Sequence, residues 1–298
     1  MTTAAGGEHT PSYEARCLQV ITTDDRGSSL SYPSRLYYDR HEDEIYALCE
    51  GGSKIIIYTS DFFPVASIGS GRGFTHAKSC STANNQLYLC ISDDTGGHLQ
   101  ILDRALLPSG KIFFSGFKNA DAFQPFRAEI IDNHIYVTGN GGDGVLIADL
   151  EGRWQQAMVP LTMHLGIREK APIETFAIDA PGNRIYLLSE EMGKIFVFSL
   201  SGRFLYDFGE KGGSSGKLSR PRGIALDQQR NLVYIVDYMR HSISVYSDKG
   251  DYLFEFGGKG YSRGWLAHPS DLCVDGQGRL WVADTFNQRL QVFSIVEK

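Results

Sequence analysis

Six copies of one sequence pattern run along this chain of 298 residues. Each copy reads as a Pro-led apolar stretch, a polar turn, a strand centred on an aromatic residue, a Gly/Asp loop and another strand. The aromatic anchors follow one another at intervals of 42 to 50 residues: Tyr46, Tyr88, Tyr136, Tyr186, Tyr234 and Trp281. A four-stranded blade of a β-propeller occupies about 40 to 50 residues. The repeat therefore predicts an all-β chain folded as a six-bladed β-propeller, with four antiparallel strands in each blade.

The last copy of the pattern lacks a fourth strand. The chain stops at Lys298, directly after the third strand of that copy, whereas a strand-like segment at Ala15–Thr22 stands before the first repeat. We expect this N-terminal strand to complete the last blade, because a ring closed in this way has no broken seam and only short outer edges. The prediction is one propeller domain over residues 13–298, preceded by a polar N-terminal tail at 1–12.

Two segments resemble the NHL repeat. They are Arg222–Asp227 (RGIALD) with Val236 and Asp237, and Leu280–Asp284 (LWVAD) with the NQRL that follows. The resemblance is strong over residues 170–298 and weaker over 33–160, where polar residues replace the apolar inner strands. It implies a propeller ring, and in a propeller the functional residues are expected to concentrate on the loops of one face.

Composition narrows the classes of function. A formal net charge of −6 argues against a generally basic, phosphate-binding surface. No stretch approaches the roughly 20 apolar residues that span a bilayer. The N-terminus has neither the basic start nor the apolar core of a secretory signal, so the expected location is cytoplasmic. Five scattered cysteines are interpreted as reduced, buried residues, although Cys80 and Cys90 could lie on neighbouring strands.

Charged side chains are predicted to meet at one mouth of the central channel, where the inner strand of each blade begins. Four are basic and two are acidic: Arg35, Lys78, Arg127, Arg222, Glu174 and Asp271. They suit an anionic ligand or an acidic loop of a partner. Alternatively, the acids and bases pair with each other across the channel. Because Lys78 and Arg127 enter where the repeat is least regular, a specific site is expected in the first half of the chain.

Histidines are the starting point for an enzyme interpretation. Amidating lyases similar to this fold carry zinc ligands as Pro-His at the opening of inner strands, but here no proline is followed by histidine. The histidines considered are His76, His164, His241 and His268. No GxSxG, Walker or strand-linked GxGxxG motif is present. We therefore predict no metal, no cofactor and no catalytic residues.

The favoured function is a non-catalytic scaffold for protein interactions, in the form of a monomeric ring. Aromatic residues in the connections of one face are its candidate anchors: Tyr238, Tyr261, Trp265 and Phe286. One alternative is an enzyme or a binder of small anions at the channel mouth. Another is an RNA-binding NHL propeller, which the interleaved acids and the negative net charge disfavour.

Overall fold

The computed structural model of this protein describes residues 13–93, 96–164 and 167–298. The predicted tail at 1–12 lies outside these described residues. Six four-stranded antiparallel sheets form the blades. Their inner strands contact one another in order around the ring, and the sixth contacts the first. The predicted fold is confirmed, and no described helix is long and apolar enough to cross a membrane.

Blades 1 to 3 follow the chain from the inner strand outwards. Blade 1 holds β2 Arg35–Asp39, β3 Glu44–Cys49, β4 Lys54–Thr59 and β5 Pro64–Gly69. Blade 2 holds β6 Ala77–Ala83, β7 Gln86–Asp93, β8 Gly96–Leu102 and β9 Pro108–Phe113. Blade 3 holds β10 Gln124–Ile131, β11 His134–Asn140, β12 Val145–Ala148 and β13 Trp154–Met158.

Blades 4 to 6 repeat this order after a small insertion. The insertion is a separate hairpin of β14 Leu161–His164 and β15 Ile167–Lys170. Blade 4 holds β16 Thr175–Asp179, β17 Arg184–Ser189, β18 Lys194–Ser199 and β19 Phe204–Phe208. Blade 5 holds β20 Pro221–Asp227, β21 Leu232–Asp237, β22 Ser242–Ser247 and β23 Tyr252–Gly257. Blade 6 holds β24 Asp271–Val274, β25 Leu280–Asp284 and β26 Arg289–Glu297, with β1 Tyr13–Ile21 outermost.

The hydrophobic core lies between neighbouring blades. Six apolar clusters occupy the six blade interfaces. Every predicted aromatic anchor is buried in the second strand of its blade, and Trp281 and Tyr234 are fully covered. Complete burial of an apolar side chain of this size contributes about 1.5 to 3 kcal/mol. The anchors are therefore the repeated unit that packs one blade against the next.

The first and last strands meet in blade 6. β1 pairs antiparallel with β26, from Tyr13 opposite Glu297 to Ile21 opposite Leu290. The ring of Tyr13 also stacks on Phe254 of blade 5, with ring centroids 5.6 Å apart. The predicted completion of the last blade by the N-terminal strand is confirmed.

The antiparallel order gives the ring two different faces. Turns between first and second strands, and between third and fourth strands, lie on the turn face. Loops between second and third strands lie on the opposite face, together with the connections from one blade to the next. We call this opposite face the loop face. The β14–β15 hairpin belongs to such a connection and therefore projects from the loop face.

All five cysteines are free thiols. Cys80 contributes to the cluster between blades 1 and 2, whereas Cys90 contributes to the cluster between blades 2 and 3. Cys90 is paired with Ser79, so the two thiols leave opposite faces of the same sheet. A disulfide between them would require a different register, because a bridge needs Cβ atoms about 3.8 Å apart and directed towards each other.

We expect that deletion of residues 1–22 unfolds or aggregates the protein, because it removes β1 and exposes the edge of β26. Size-exclusion chromatography and thermal melting followed by circular dichroism measure this effect. The control is deletion of residues 2–12, which retains every β1–β26 pair. A monomeric 1–22 deletion with an unchanged melting temperature would contradict the account.

Candidate functional site

Asp271 is the centre of the charged group at the loop-face mouth. Its side chain is almost fully buried, and its Oδ2 accepts a hydrogen bond of 3.0 Å from the backbone N–H of Leu36 in blade 1. The same oxygen lies 3.9 Å from Nη1 of Arg127 in blade 3. In blade 5, a Cβ on Gly223 would lie only 2.6 Å from Oδ1 of Asp271. This carboxylate therefore ties together blades that are distant in the sequence.

Arg127 and Arg35 are the basic neighbours of Asp271. Arg127 donates a 2.8 Å hydrogen bond to Glu129, while its Nε has no partner among the described residues. Burial alone would lower the pKa of Arg127, but Glu129 and Asp271 outweigh burial and raise it. Burial lowers the pKa of Arg35, which donates a 3.4 Å hydrogen bond to the carbonyl of Ser270. Arg35, Arg127 and Asp271 therefore lie near one another, but Arg127 makes its shortest ion pair with Glu129, which was not among the predicted site residues.

Arg222 lies on the other side of the mouth. Its guanidinium carbon is 3.8 Å from the centre of the Tyr238 ring, a close cation–π contact. Its Nε is 3.5 Å from Oε2 of Glu190, whose other oxygen accepts a hydrogen bond from Arg220. Glu190 was not among the predicted site residues, yet it neutralises Arg222. Only the order of strands around the ring brings the two together.

Glu174 and Lys78 differ from the other predicted site residues. Glu174 pairs with no basic side chain of the described residues, and its Oε2 accepts a 2.7 Å hydrogen bond from the backbone N–H of Glu190. Burial, together with the charges of Glu190 and Glu191, raises the pKa of Glu174 to about 7. Lys78 is exposed and makes no ion pair within the described part of the chain.

An aromatic group on the loop face joins blades 5, 6 and 1. Tyr238 and Phe286 were predicted as anchors, and both pack on the ring of His268, with centroids 4.5 and 4.9 Å from it. Tyr32, in the connection before blade 1, lies 6.0 Å from Phe286 at a steep angle. About half of the surface of Tyr32 and of Phe286 is exposed. We call these four residues the aromatic group.

The other two predicted anchors lie outside the aromatic group. Tyr261 is 73% exposed and approaches the guanidinium of Arg289, with 5.0 Å from its ring centre to the guanidinium carbon. The Trp265 ring covers Gly258, where a Cβ would lie 3.1 Å from the indole. Trp265 therefore packs on its own blade connection, although half of its surface is exposed.

The histidines do not form a metal centre within the described residues. No group of three His, Cys, Asp or Glu side chains in these ranges could hold a metal ion. His241 and His268 pack ring against ring at 4.2 Å, and Nδ1 of His241 accepts a hydrogen bond from the backbone N–H of His268. The side chain of His164 lies outside the described residues.

Two family comparisons agree with this architecture. Residues 266–293 match the NHL repeat family, which confirms the resemblance noted in the C-terminal segments. Residues 163–257 match a family described as a 6-bladed beta-propeller. This chain is a six-bladed β-propeller that contains an NHL repeat. No curated protein shows significant sequence similarity to it.

Solved structures place the propeller among proteins of varied function. An auxiliary nutrient binding protein from Bacteroides thetaiotaomicron VPI-5482 has a TM-score of 0.68 at 12% identity. The match covers 97% of this chain and 79% of the chain of that protein. A protein of unknown function from the same organism has a TM-score of 0.69 at 11% identity, with coverages of 96% and 76%. Streptogramin B lyase has a TM-score of 0.56 at 10% identity, with coverages of 95% and 98%. At these identities the likeness concerns the fold alone.

The raised pKa of Glu174 predicts a pH dependence of stability. The folded protein binds a proton at this carboxyl up to a pH of about 7, whereas the unfolded chain releases it near 4.5. Between these values the folded state holds more protons, so the free energy of unfolding falls as the pH rises. We expect the urea midpoint of the wild type to fall relative to that of Glu174→Gln as the pH rises from about 5 to about 7. This window lies between the pKa of the unfolded chain and that of the folded protein.

The control for this experiment is Glu151→Gln, which alters a carboxylate that is 64% exposed and remote from the channel. Its midpoints should follow the wild type at each pH. A constant difference between the wild type and Glu174→Gln over this pH range would contradict the shifted titration.

Proposed function

We propose that this NHL propeller is a non-catalytic scaffold that binds an extended segment of a protein partner across its loop face. The observation that carries the proposal is the aromatic group. Half-exposed aromatic rings that touch each other form a ready contact surface, because aromatic side chains bury a large area at a low cost in conformational entropy. Arg222, stacked on Tyr238, adds a cationic edge to this surface.

A second apolar group on the same face supports the proposal. In the β14–β15 hairpin, Leu161, Met163 and Ile167 are each at least half exposed. The hairpin stands between blades 3 and 4, across the channel mouth from the aromatic group. Exposed apolar groups on one face of a rigid ring are typical of an interaction surface. A segment of a partner that reaches across the mouth would contact both groups.

The charges of the loop face favour a peptide over RNA. Arg220 and Arg222 share Glu190, and Arg240 lies 2.7 Å from Glu255. Arg289 is almost fully buried against Asp284, at 2.7 Å. These guanidinium groups already have carboxylate partners, whereas phosphate binding requires cations that are available to the nucleic acid. A peptide can bind through its backbone and its neutral side chains, which do not require unpaired cations on the protein.

The proposal is tested with peptides selected from a random displayed library on the wild-type protein. Tyr32→Ala/Phe286→Ala should weaken the affinity of the selected peptides about 30-fold, as expected for a loss of about 2 kcal/mol at an anchor. Fluorescence polarisation of labelled peptides measures the affinities. The matched control is Phe63→Ala, since Phe63 is 69% exposed but lies on the turn face.

The control variant should bind like the wild type. Equal affinities for the double variant, or a loss caused by Phe63→Ala instead, would refute the placement of the site on the loop face. A salt-sensitive shift of single-stranded RNA at low micromolar protein would replace the protein partner with a nucleic acid.

A further inference from the structure

A cavity lined by described residues opens on the turn face, opposite the proposed partner surface. Its volume is about 960 Å³, within the range of about 300 to 1,000 Å³ that is usual for small-molecule sites. It occupies the turn-face half of the central channel and extends outwards between blades 1 and 2, where Ile57, Val65 and Leu106 line it. We call it the turn-face cavity.

The cavity exists because three neighbouring blades carry small side chains at one level of the channel. Ala177, Ala225 and Cys273 are each paired with the aromatic anchor of their blade, so they occupy equivalent positions in the ring. The corresponding positions in blades 1 and 3 hold Tyr37 and Glu129. The channel is therefore asymmetric, with an apolar wall of small residues facing a wall that carries polar groups.

Glu129 supplies an available acceptor on the polar wall. Its Oε1 accepts the hydrogen bond from Arg127, whereas its Oε2 accepts none from the described residues. The side chain is 18% exposed, and it faces the cavity. By contrast, the hydroxyl of Tyr37 is already engaged with Thr82, 3.3 Å from its Oγ1. Glu129 is thus the acceptor that a bound molecule can reach inside the channel.

The charge of the lining is negative. Six carboxylates line the cavity: Asp39, Glu42, Glu44, Asp103, Glu129 and Asp132. Only three arginines accompany them: Arg40, Arg104 and Arg127. A concave site with an excess of one sign of charge raises the local concentration of the opposite ion. The lining therefore attracts cations and repels anions.

We propose that the turn-face cavity binds a small organic cation, a primary amine with an apolar body. The ammonium group donates to Oε2 of Glu129, and the apolar body lies against Ala177, Ala225 and Cys273. A charge-assisted hydrogen bond of this kind is about twice as strong as a neutral one. The site is separate from the aromatic group, so the propeller can hold a small ligand on one face and a protein partner on the other.

The test compares three probes that share a carbon skeleton: cyclohexylmethylamine, cyclohexylmethanol and cyclohexanecarboxylate. Isothermal titration calorimetry on the full chain should show the tightest binding for the amine. Glu129→Gln should weaken amine binding about tenfold or more, the loss expected when a charge pair is replaced by a neutral contact. Ala225→Leu should weaken amine binding, because the larger side chain occupies part of the apolar wall on which the body of the ligand lies. Glu151→Gln, which alters an exposed carboxylate remote from the channel, is the matched control and should bind the amine like the wild type.

Several results would overturn the proposal. The first is that no probe binds to the wild type. The second is that the carboxylate or the alcohol binds more tightly than the amine. The third is that Glu129→Gln binds the amine as tightly as the wild type does. Thermal melting establishes that each variant is folded. If Glu129→Gln does not fold, Ala225→Leu and Ala177→Leu decide, because undiminished amine binding by folded forms of both variants excludes the cavity.

Discussion

Pairing of β1 with β26 is the interaction on which the rest of the structure depends. Blade 6 is built from β1 and the last three strands, so six complete blades are present only when β1 is paired with β26. Closure places β24 beside β2, and it thereby brings Asp271 to the backbone N–H of Leu36. The hydrogen bond from Leu36 to Asp271 and the Tyr32–Phe286 contact both span this junction between blades 6 and 1.

A closed ring has two faces that can differ in chemistry. The loop face presents aromatic rings and an apolar hairpin, and most of its arginines are paired with carboxylates. The turn face opens into a cavity with an acidic lining. Arg127 lies between these regions, since it contacts Asp271 near one mouth and Glu129 in the cavity. The fold thus provides two binding environments that share one rigid channel wall.

The ring was predictable from sequence because its signals are local and repeated. Each aromatic anchor marks a buried second strand, and the unpaired segment near Cys17 marks the closing strand. The sequence also assigned Arg35, Arg127 and Asp271 to equivalent positions of the repeat, near one mouth of the channel. Their pairing depends on distances across the channel, which the repeat does not specify.

Other features depend on three-dimensional neighbours and left no local signal. The turn-face cavity arises because small residues in β16, β20 and β24 are aligned by strand register. Glu190 and Tyr32 enter the candidate site through loops of different blades. The β14–β15 hairpin comprises strands of only four residues each, too short for a clear alternation of apolar and polar positions.

Hydrogen–deuterium exchange of the intact protein tests the closure of the ring most directly. If β1 is an integral strand of blade 6, backbone amides of residues 13–21 that pair with β26 should be protected to the same degree as those of β21 and β22 in blade 5. Rapid exchange throughout β1, while blades 2 to 5 remain protected, would contradict the account.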